Sequence, residues 1–492
     1  MKRSDDRLDP ALLRLVGVVL LGGMMGILDG TMMAVAIDTL TATFDTSVSA
    51  IGWASTGYLL ALTSTIPITT WAVDRFGAKR LWLAGLALFL LGSLASGLAW
   101  NMASLIAFRL AQGVGAGILD PLVLVLLARA AGPQRAGRVM GLMGAVLPLG
   151  PVLGPVLGGA LLDTAGWRWM FLVNIPIGLL AFALALRVVP ADNPDLTTRH
   201  RLDLVGLTLA GPGVAAIVLA LSQVAAAGEF AAWQVLTPLA VGVVALLGYA
   251  RHALGARKAP PLIDLRLFRS RGFAASVTVQ GLVGVATFST LFILPLHYQQ
   301  QYGHAGAALT AGLLVAPMGL GSVLAMPVAG RLSDSVGARR LALPGALVAF
   351  LGAVALAQTG DGSAPRLAWW AFVIGAGLGF VGAPTMGSLY RTLPSHQVPQ
   401  GSSVLYMLNQ LGASIGVAVI ALLIDVVGGT DPARGFRAGY LWIAGCAFVI
   451  LAGSSLLPGS PDGTSGAGGG RRPASESPDG VPAAGDDPVV RR

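Results

Sequence analysis

The sequence predicts an all-α integral membrane protein, and three observations predict it. Hydrophobic residues make up 55% of the 492-residue chain and charged residues only 11%, against about 25% charged in a soluble domain. The mean hydropathy is +0.75, so there is too little polar surface to cover a globule in water. The apolar residues fall into runs of about 20, the length a helix needs to cross a bilayer core. Lys and Arg gather in alternate connections between these runs. The composition excludes a disordered chain, and one cysteine, Cys446, cannot make a disulfide scaffold. The 67 glycines lie mostly inside the apolar runs, where membrane helices tolerate them.

Taken in order, fourteen spans are expected: 12–36, 51–72, 81–99, 103–127, 139–161, 169–189, 204–223, 233–250, 273–296, 308–329, 341–358, 367–389, 403–424 and 439–457. The first follows Lys2 and Arg3 as a signal peptide would. Its apolar run is too long for a cleaved leader and continues past Asp29, which predicts an uncleaved helix. One face of the membrane receives Arg7, Arg14, Arg75, Lys79, Arg80, Arg129, Arg135, Arg138, Arg187, Arg251, Arg266, Arg331, Arg339, Arg340 and Arg391; the other receives only Arg168, Arg366, Arg434 and Arg437. The positive-inside rule then puts both termini in the cytoplasm. The net charge of +9 and pI of about 10.3 are thus topological, and no nucleic-acid partner is expected. Trp53, Trp71, Trp82, Trp100, Trp167, Trp169, Trp233, Trp369, Trp370 and Trp442 fall near predicted helix ends, as an interfacial belt requires. Residues 458–492, rich in Gly, Pro, Ser and Asp, read as a disordered cytoplasmic tail.

An internal repeat organises these spans. The connection after the second reads D-R-F-G-A-K-R (Asp74 to Arg80), and the one after the tenth reads D-S-V-G-A-R-R (Asp334 to Arg340). A six-helix unit is therefore duplicated, at 1–190 and 271–457, with two central helices inserted at 191–270. Duplicated helical halves are a transporter signature, because they rock about a central site.

On these residues the chain resembles the major facilitator superfamily, and within it the fourteen-helix drug:proton antiporters of the multidrug efflux type. The resemblance rests on Asp74–Arg80 and on Gly330–Arg340. It rests also on R-L-A-Q-G-V-G-A-G at Arg109–Gly117, G-P-V-L-G-P-V-L-G-G at Gly150–Gly159, L-D-G-T at Leu28–Thr31 and W-R-W-M-F-L-V-N-I-P-I-G at Trp167–Gly178. Two departures stand out: Thr70 replaces the loop's usual opening Gly, and Ala34 and Asp38 replace the Asn and Pro that follow the first-helix motif. The resemblance implies two six-helix bundles plus two central helices, cytoplasmic termini, a bacterial plasma-membrane location and a protein that is not an enzyme. It also implies protons and small lipophilic or cationic compounds as the partners, besides the bilayer, and action as a monomer.

Physical roles follow for the singled-out residues. Asp29 lies mid-span, where a charge costs about 2.5–3.5 kcal/mol on insertion scales and must face a cavity or a partner. Met25, Met32 and Met33 flank it at helical spacing, so they are expected to form an adaptable substrate wall, with the carboxylate as counter-charge to a cation. The alternative is a Met-rich packing face with Asp29 bonded to a neighbouring helix. Arg109 and Asp120 project from nearly one face of the fourth span, about 16 Å apart, with Gln112 one turn from Arg109. Asp120 reads either as a proton or cation carboxylate or as a structural bond. Gly150, Gly154, Gly158 and Gly159 permit close helix approach, and Pro151 and Pro155 permit a bend. The resemblance implies that Asp74, with Arg75, Gly77 and Arg80, latches the cytoplasmic side against the helix starting near Ser402. Asp334, with Gly337 and Arg340, is expected to mirror it near Arg138. The arginines are topology determinants first. His297 reads as a structural histidine or a proton relay. No phosphate loop, metal-ligand cluster or nucleophilic triad is present in the sequence, so no metal, cofactor or ATP machinery is expected. The leading expectation is a proton-coupled exporter of drugs; the alternative is a dedicated exporter of one metabolite or self-made antibiotic.

Overall fold

The computed structural model describes residues 9–147, 149–192, 202–227, 230–255, 261–302, 307–358, 363–394, 397–429 and 431–459. The tail beyond 459 and the basic residues Lys2, Arg3 and Arg7 lie outside them. So do the side chains of Asp38, Pro151 and Pro155. Every regular element among the described residues is helical. The N-terminal half contains α1 (Pro10–Met32), α2 (Ile37–Phe44), α3 (Val48–Phe76), α4 (Ala78–Gly97), α5 (Met102–Val146), α6 (Leu149–Ala165), α7 (Arg168–Leu172) and α8 (Asn174–Val188). Two central helices follow, α9 (Leu204–Ala227) and α10 (Trp233–Gly255). The C-terminal half contains α11 (Arg271–Tyr302), α12 (Ala307–Val336), α13 (Ala338–Gln358), α14 (Ala364–Thr392), α15 (Val398–Leu422) and α16 (Pro432–Ser454).

Local sequence sets the breaks. Asp9 caps α1, its carboxylate accepting from the Ala11 N–H, and Pro10 occupies the first turn where its missing N–H costs nothing. Asn101 and Ser104 form a capping box at the start of α5. Gly132, at φ +65° and ψ 173°, divides α5 into two limbs. A backbone turn of that hand favours glycine, the residue present.

Twelve helices among the described residues are long and apolar enough to cross a membrane. The two expected spans outside that set are α3 and the stretch formed by the second limb of α5 with α6. The former is diluted by Thr56, Thr63, Ser64, Thr65, Thr69 and Thr70, and the latter is divided between the end of α5 at Val146 and the start of α6 at Leu149.

The repeat is visible in the packing. Within the N-terminal half α1 packs on α5, α6 and α8, α4 packs on α5 and α8, and α3 packs on α5. Within the C-terminal half α11 packs on α14, α15 and α16, α13 packs on α14 and α16, and α12 packs on α14. Each of these six contacts in one half has its counterpart in the other. Gly77 and Gly337 both turn the chain with positive φ, +88° and +91°. Past these turns, the Asp192 carboxylate receives the Lys79 and Arg80 N–H groups at 2.8 and 3.2 Å, and the Pro458 carbonyl receives that of Arg339 at 3.4 Å. Asp192 and Pro458 each follow the last helix of their half, so they too correspond.

Between the halves, α5 meets α12, α14 and α15, α6 meets α12, and α3 meets α15. The central pair is asymmetric: α9 lies against α3 and α15, and α10 packs on α9. The outer face of α10 (Leu236, Val241, Val244, Leu247) is exposed apolar surface suited to lipid. Trp100, Trp233 and Trp369 are exposed near helix ends as a belt requires, but Trp82 is fully buried against the α1 backbone at Gly22. It packs the core instead of marking the interface.

Candidate functional site

The N-terminal half closes around one buried polar network. Asp29 of α1 is paired with Arg109 of α5, both buried. Gln112, one turn along α5, accepts from Arg109 Nη1 at 2.9 Å and donates to Asp29 Oδ1 at 3.0 Å. Asn174 of α8 donates to the same oxygen at 3.0 Å and reaches Ser93 Oγ on α4, also at 3.0 Å. Ser93 in turn donates to the Phe171 carbonyl. Arg109 Nε donates to the Ala54 carbonyl of α3, and its guanidinium lies 4.1 Å from the Tyr58 ring centre, a cation–π stack. The Tyr58 hydroxyl donates to the Gly26 carbonyl of α1. Six elements of the half, α1, α3, α4, α5, α7 and α8, thus converge on one ion pair. Such a network is sensitive to single changes, since removing one partner of a buried pair costs about 3–5 kcal/mol.

Asp120 stands apart from it. It lies on α5, where a cavity of ≈ 270 Å³ opens between the halves. The N-terminal half contributes Ile27 and Thr31 of α1, Asp120 and Leu124 of α5, and Met143 beyond the kink. The C-terminal half contributes Gln280 and Phe288 of α11, Met318 and Met326 of α12, Met386 of α14, and Tyr406, Asn409 and Gln410 of α15. The methionines of this wall are Met143, Met318, Met326 and Met386. Met25 packs in the N-terminal core and Met32 and Met33 in a second apolar cluster with Leu40 and Trp167. None of the three lines the cavity, because the α1 face turned towards it bears Ile27 and Thr31 instead. The polar side chains of the C-terminal wall were readable as isolated polar residues in apolar runs; nothing in their local sequence says that they share a cavity.

The glycine-rich face of α6 packs within its own half. Gly150 meets Ile27, Gly154 meets Thr31, and Gly158 meets Met32 and Val35, all on or just past α1, while Gly159 faces open space. The contact between halves uses other glycines. A Cβ at Gly141 would lie 2.7 Å from the Met326 carbonyl, and one at Gly387 would lie 2.8 Å from Gly137 Cα. Gly137, Gly330 and Gly387 therefore allow α5, α12 and α14 to meet backbone to backbone.

At that same end, Asp334 accepts from the Gly137 N–H at 3.1 Å and from Arg391 Nη1 at 2.9 Å, with Arg138 Nε at 3.6 Å. Across from it, Thr70 and Ser403 hydroxyls lie 2.8 Å apart, joining α3 to α15, and Ser403 donates to the Ile66 carbonyl. Asp74, one turn from Thr70, lies within electrostatic reach of Arg129. Arg75, Arg80, Arg339 and Arg340 are exposed. His297 stacks on Phe436 at 4.6 Å and bonds the Tyr440 hydroxyl at 2.7 Å, bracing α11 against α16. Among the described residues no group of His, Cys, Asp and Glu could hold a metal ion.

The sequence model of the Major Facilitator Superfamily matches residues 19–417 and 308–478. The chain belongs to this superfamily. It is accordingly a membrane transporter and not an enzyme. It is 39% identical over 423 residues to the multidrug resistance protein B homolog of Mycobacterium tuberculosis (strain ATCC 25618 / H37Rv), covering 85% of this chain and 77% of that protein. It is 29% identical over 406 residues to the lincomycin resistance protein LmrB of Listeria monocytogenes, covering 82% and 85%. Its fold is similar to that of the proton:xylose symporter XylE, with a TM-score of 0.61 at 15% identity, over 90% of this chain and 94% of the other.

Proposed function

We propose that this transporter exports lipophilic and cationic compounds from the bacterial cytoplasm in exchange for protons, by alternating access. In this reading all fourteen expected spans cross the plasma membrane, both termini are cytoplasmic, and one copy is the functional unit. The observation that carries it is the Asp29–Arg109 network standing beside a methionine-lined cavity at the junction of two repeated halves. Resistance-named relatives support the direction and class of transport.

The network supplies the means of coupling. A two-state protein moves only as far as the ligand's preference for one state, and inverting a 99:1 population takes about 5.5 kcal/mol. Protonating Asp29 strips Arg109 of its counter-charge, at a cost of about 3–5 kcal/mol in a buried site. That is the right order to drive a change of state, and Arg109, Gln112 and Asn174 sit on two helices, α5 and α8, that pack on α1. With the arginine-rich end inside, the contacts of Asp334, Thr70 and Gly137 close the cytoplasmic side, so this state faces outward.

The test is a substrate panel in inverted vesicles with a preset acid interior. Addition of an exported compound is expected to dissipate the pH difference, and an uncoupler to abolish its uptake. Uptake that survives the uncoupler but needs ATP overturns the proposal.

A further inference from the structure

We infer that Asp120, and not Asp29, is the charge a cationic substrate meets, and that the cavity around it is built for a lipophilic monocation bearing an N–H or O–H donor. This rests on the exporter reading above and refines its binding site.

Asp29 is already taken. Its oxygens are occupied by Arg109, Gln112 and Asn174, and it does not line the cavity. A cation could reach it only by breaking that network. Asp120 has the opposite surroundings. It is buried to 8% exposure and is the sole charged residue among those lining the cavity. Among the described residues no hydrogen bond or ion pair reaches its carboxylate. Along α5 the cations on either side, Arg129 and Arg109, lie about 14 and 16 Å away along the axis, and Arg109 is engaged elsewhere. A carboxylate shut away from water needs a compensating charge or proton, and a bound cation is such a charge.

The walls extend the argument. Gly26 of α1 faces Asp120, where a Cβ would stand 3.8 Å from Oδ1, so α1 brings no polar side chain against the carboxylate. Phe288 and Tyr406 offer aromatic faces and the methionines offer polarizable ones, both favourable to a delocalised cation. Gln280, 4% exposed and lining the same cavity, has an Oε1 with no hydrogen-bond partner. An unmet buried acceptor discriminates for a ligand that donates to it. Carboxylate and amide oxygen together specify a cation with a donor.

The experiment measures equilibrium binding to the purified, detergent-solubilised protein with no gradient present. The probes are tetraphenylphosphonium, a cation without a donor; ethidium, a cation with amino donors; and triphenylphosphine oxide, which is neutral. Asp120→Asn is expected to weaken both cations about tenfold or more while changing the neutral probe less than twofold. Asp120→Glu is expected to keep the preference for cations. Asp29→Asn is expected to shift all three probes alike, preserving their ratios. Gln280→Leu is expected to weaken ethidium severalfold and spare tetraphenylphosphonium. Thermal unfolding confirms that each variant is folded. Equal affinity of the wild type for cations and the neutral probe, or loss of cation preference in Asp29→Asn with none in Asp120→Asn, overturns the inference. Equal losses of both cations in Gln280→Leu overturn its donor part. Because no gradient is involved, a failure of proton coupling in vesicles counts against the exporter reading and leaves this result standing.

Discussion

At the scale of single residues, the Asp29–Arg109 pair makes a prediction that separates stability from transport. Asp29→Asn leaves a buried guanidinium facing two neutral amides, so the variant is expected to lose about 3–5 kcal/mol of stability along with proton-coupled export. Replacing both partners, as Asp29→Asn with Arg109→Gln, removes the uncompensated charge. The double variant is expected to recover most of the thermal stability and none of the transport. The check is a double-mutant cycle on melting temperature in detergent, run beside vesicle export. Additive losses of stability would show that the two side chains do not act as a pair. Asn174 illustrates what local sequence conceals: it reads as one polar residue in an apolar run, yet it ties α8 to both α1 and α4.

At the scale of elements, glycines separate two kinds of helix contact. Gly141 faces the Met326 carbonyl at the contact between halves, so Gly141→Val is expected to wedge α5 from α12. Cysteine probes placed at the arginine-rich end should then label faster, and export should fall. Gly159 has open space around its would-be Cβ. Gly159→Ala should therefore leave labelling and export unchanged and raise helix stability by about 0.5–1 kcal/mol. The motif carboxylates give a further contrast. Asp334 binds across the halves through the Gly137 N–H and Arg138, so Asp334→Asn is expected to speed cytoplasmic labelling and reduce export. Asp74→Asn is expected to retain expression and lose most export, with the same gain in labelling. Unchanged labelling in both variants would reduce these loops to determinants of topology. The central helices are strapped separately: Tyr249 exchanges two hydrogen bonds of 2.7 Å with the Ile263 backbone, and Asp203 joins His252 to the Leu262 N–H. The Asp264 N–H then reaches Gln400 at the start of α15. The insert therefore continues into the C-terminal half through bonded segments at its junction.

At the scale of the whole molecule, two buried carboxylates in different surroundings bear on stoichiometry. If Asp29 binds one proton and Asp120 exchanges its cation for another, two protons enter for each monovalent cation that leaves. One net charge then crosses, and the membrane potential contributes about 2.3 kcal/mol per 100 mV. Export of tetraphenylphosphonium at zero pH difference is expected to follow a valinomycin-set potential. Indifference to the potential would restrict the exchange to one proton.

The sequence by itself determined that the chain is helical and membrane-embedded, that it is built from a repeated unit, and which superfamily it belongs to. These follow from composition, run length and motifs, all local or periodic along the chain. It also marked Asp29, Arg109, Gln112 and Asp120 as costly intramembrane polar groups. Tertiary structure decided which of them meet. Arg109 and Asp120 share a helix face, but α1, running antiparallel along α5, presents Asp29 to Arg109 and only Gly26 to Asp120, so Asp29 pairs there and Asp120 is left to the cavity. The methionine wall moved for the same reason: Met25 and Met32 on α1 and Met33 just past it neighbour Asp29, yet the rotation of that helix buries them and turns Ile27 and Thr31 to the cavity. Most of that wall comes from α11, α12, α14 and α15, brought opposite α5 only by the packing of the two halves. Periodicity assigns residues to a face of one helix; which neighbour covers that face depends on backbone approach at glycines far along the chain.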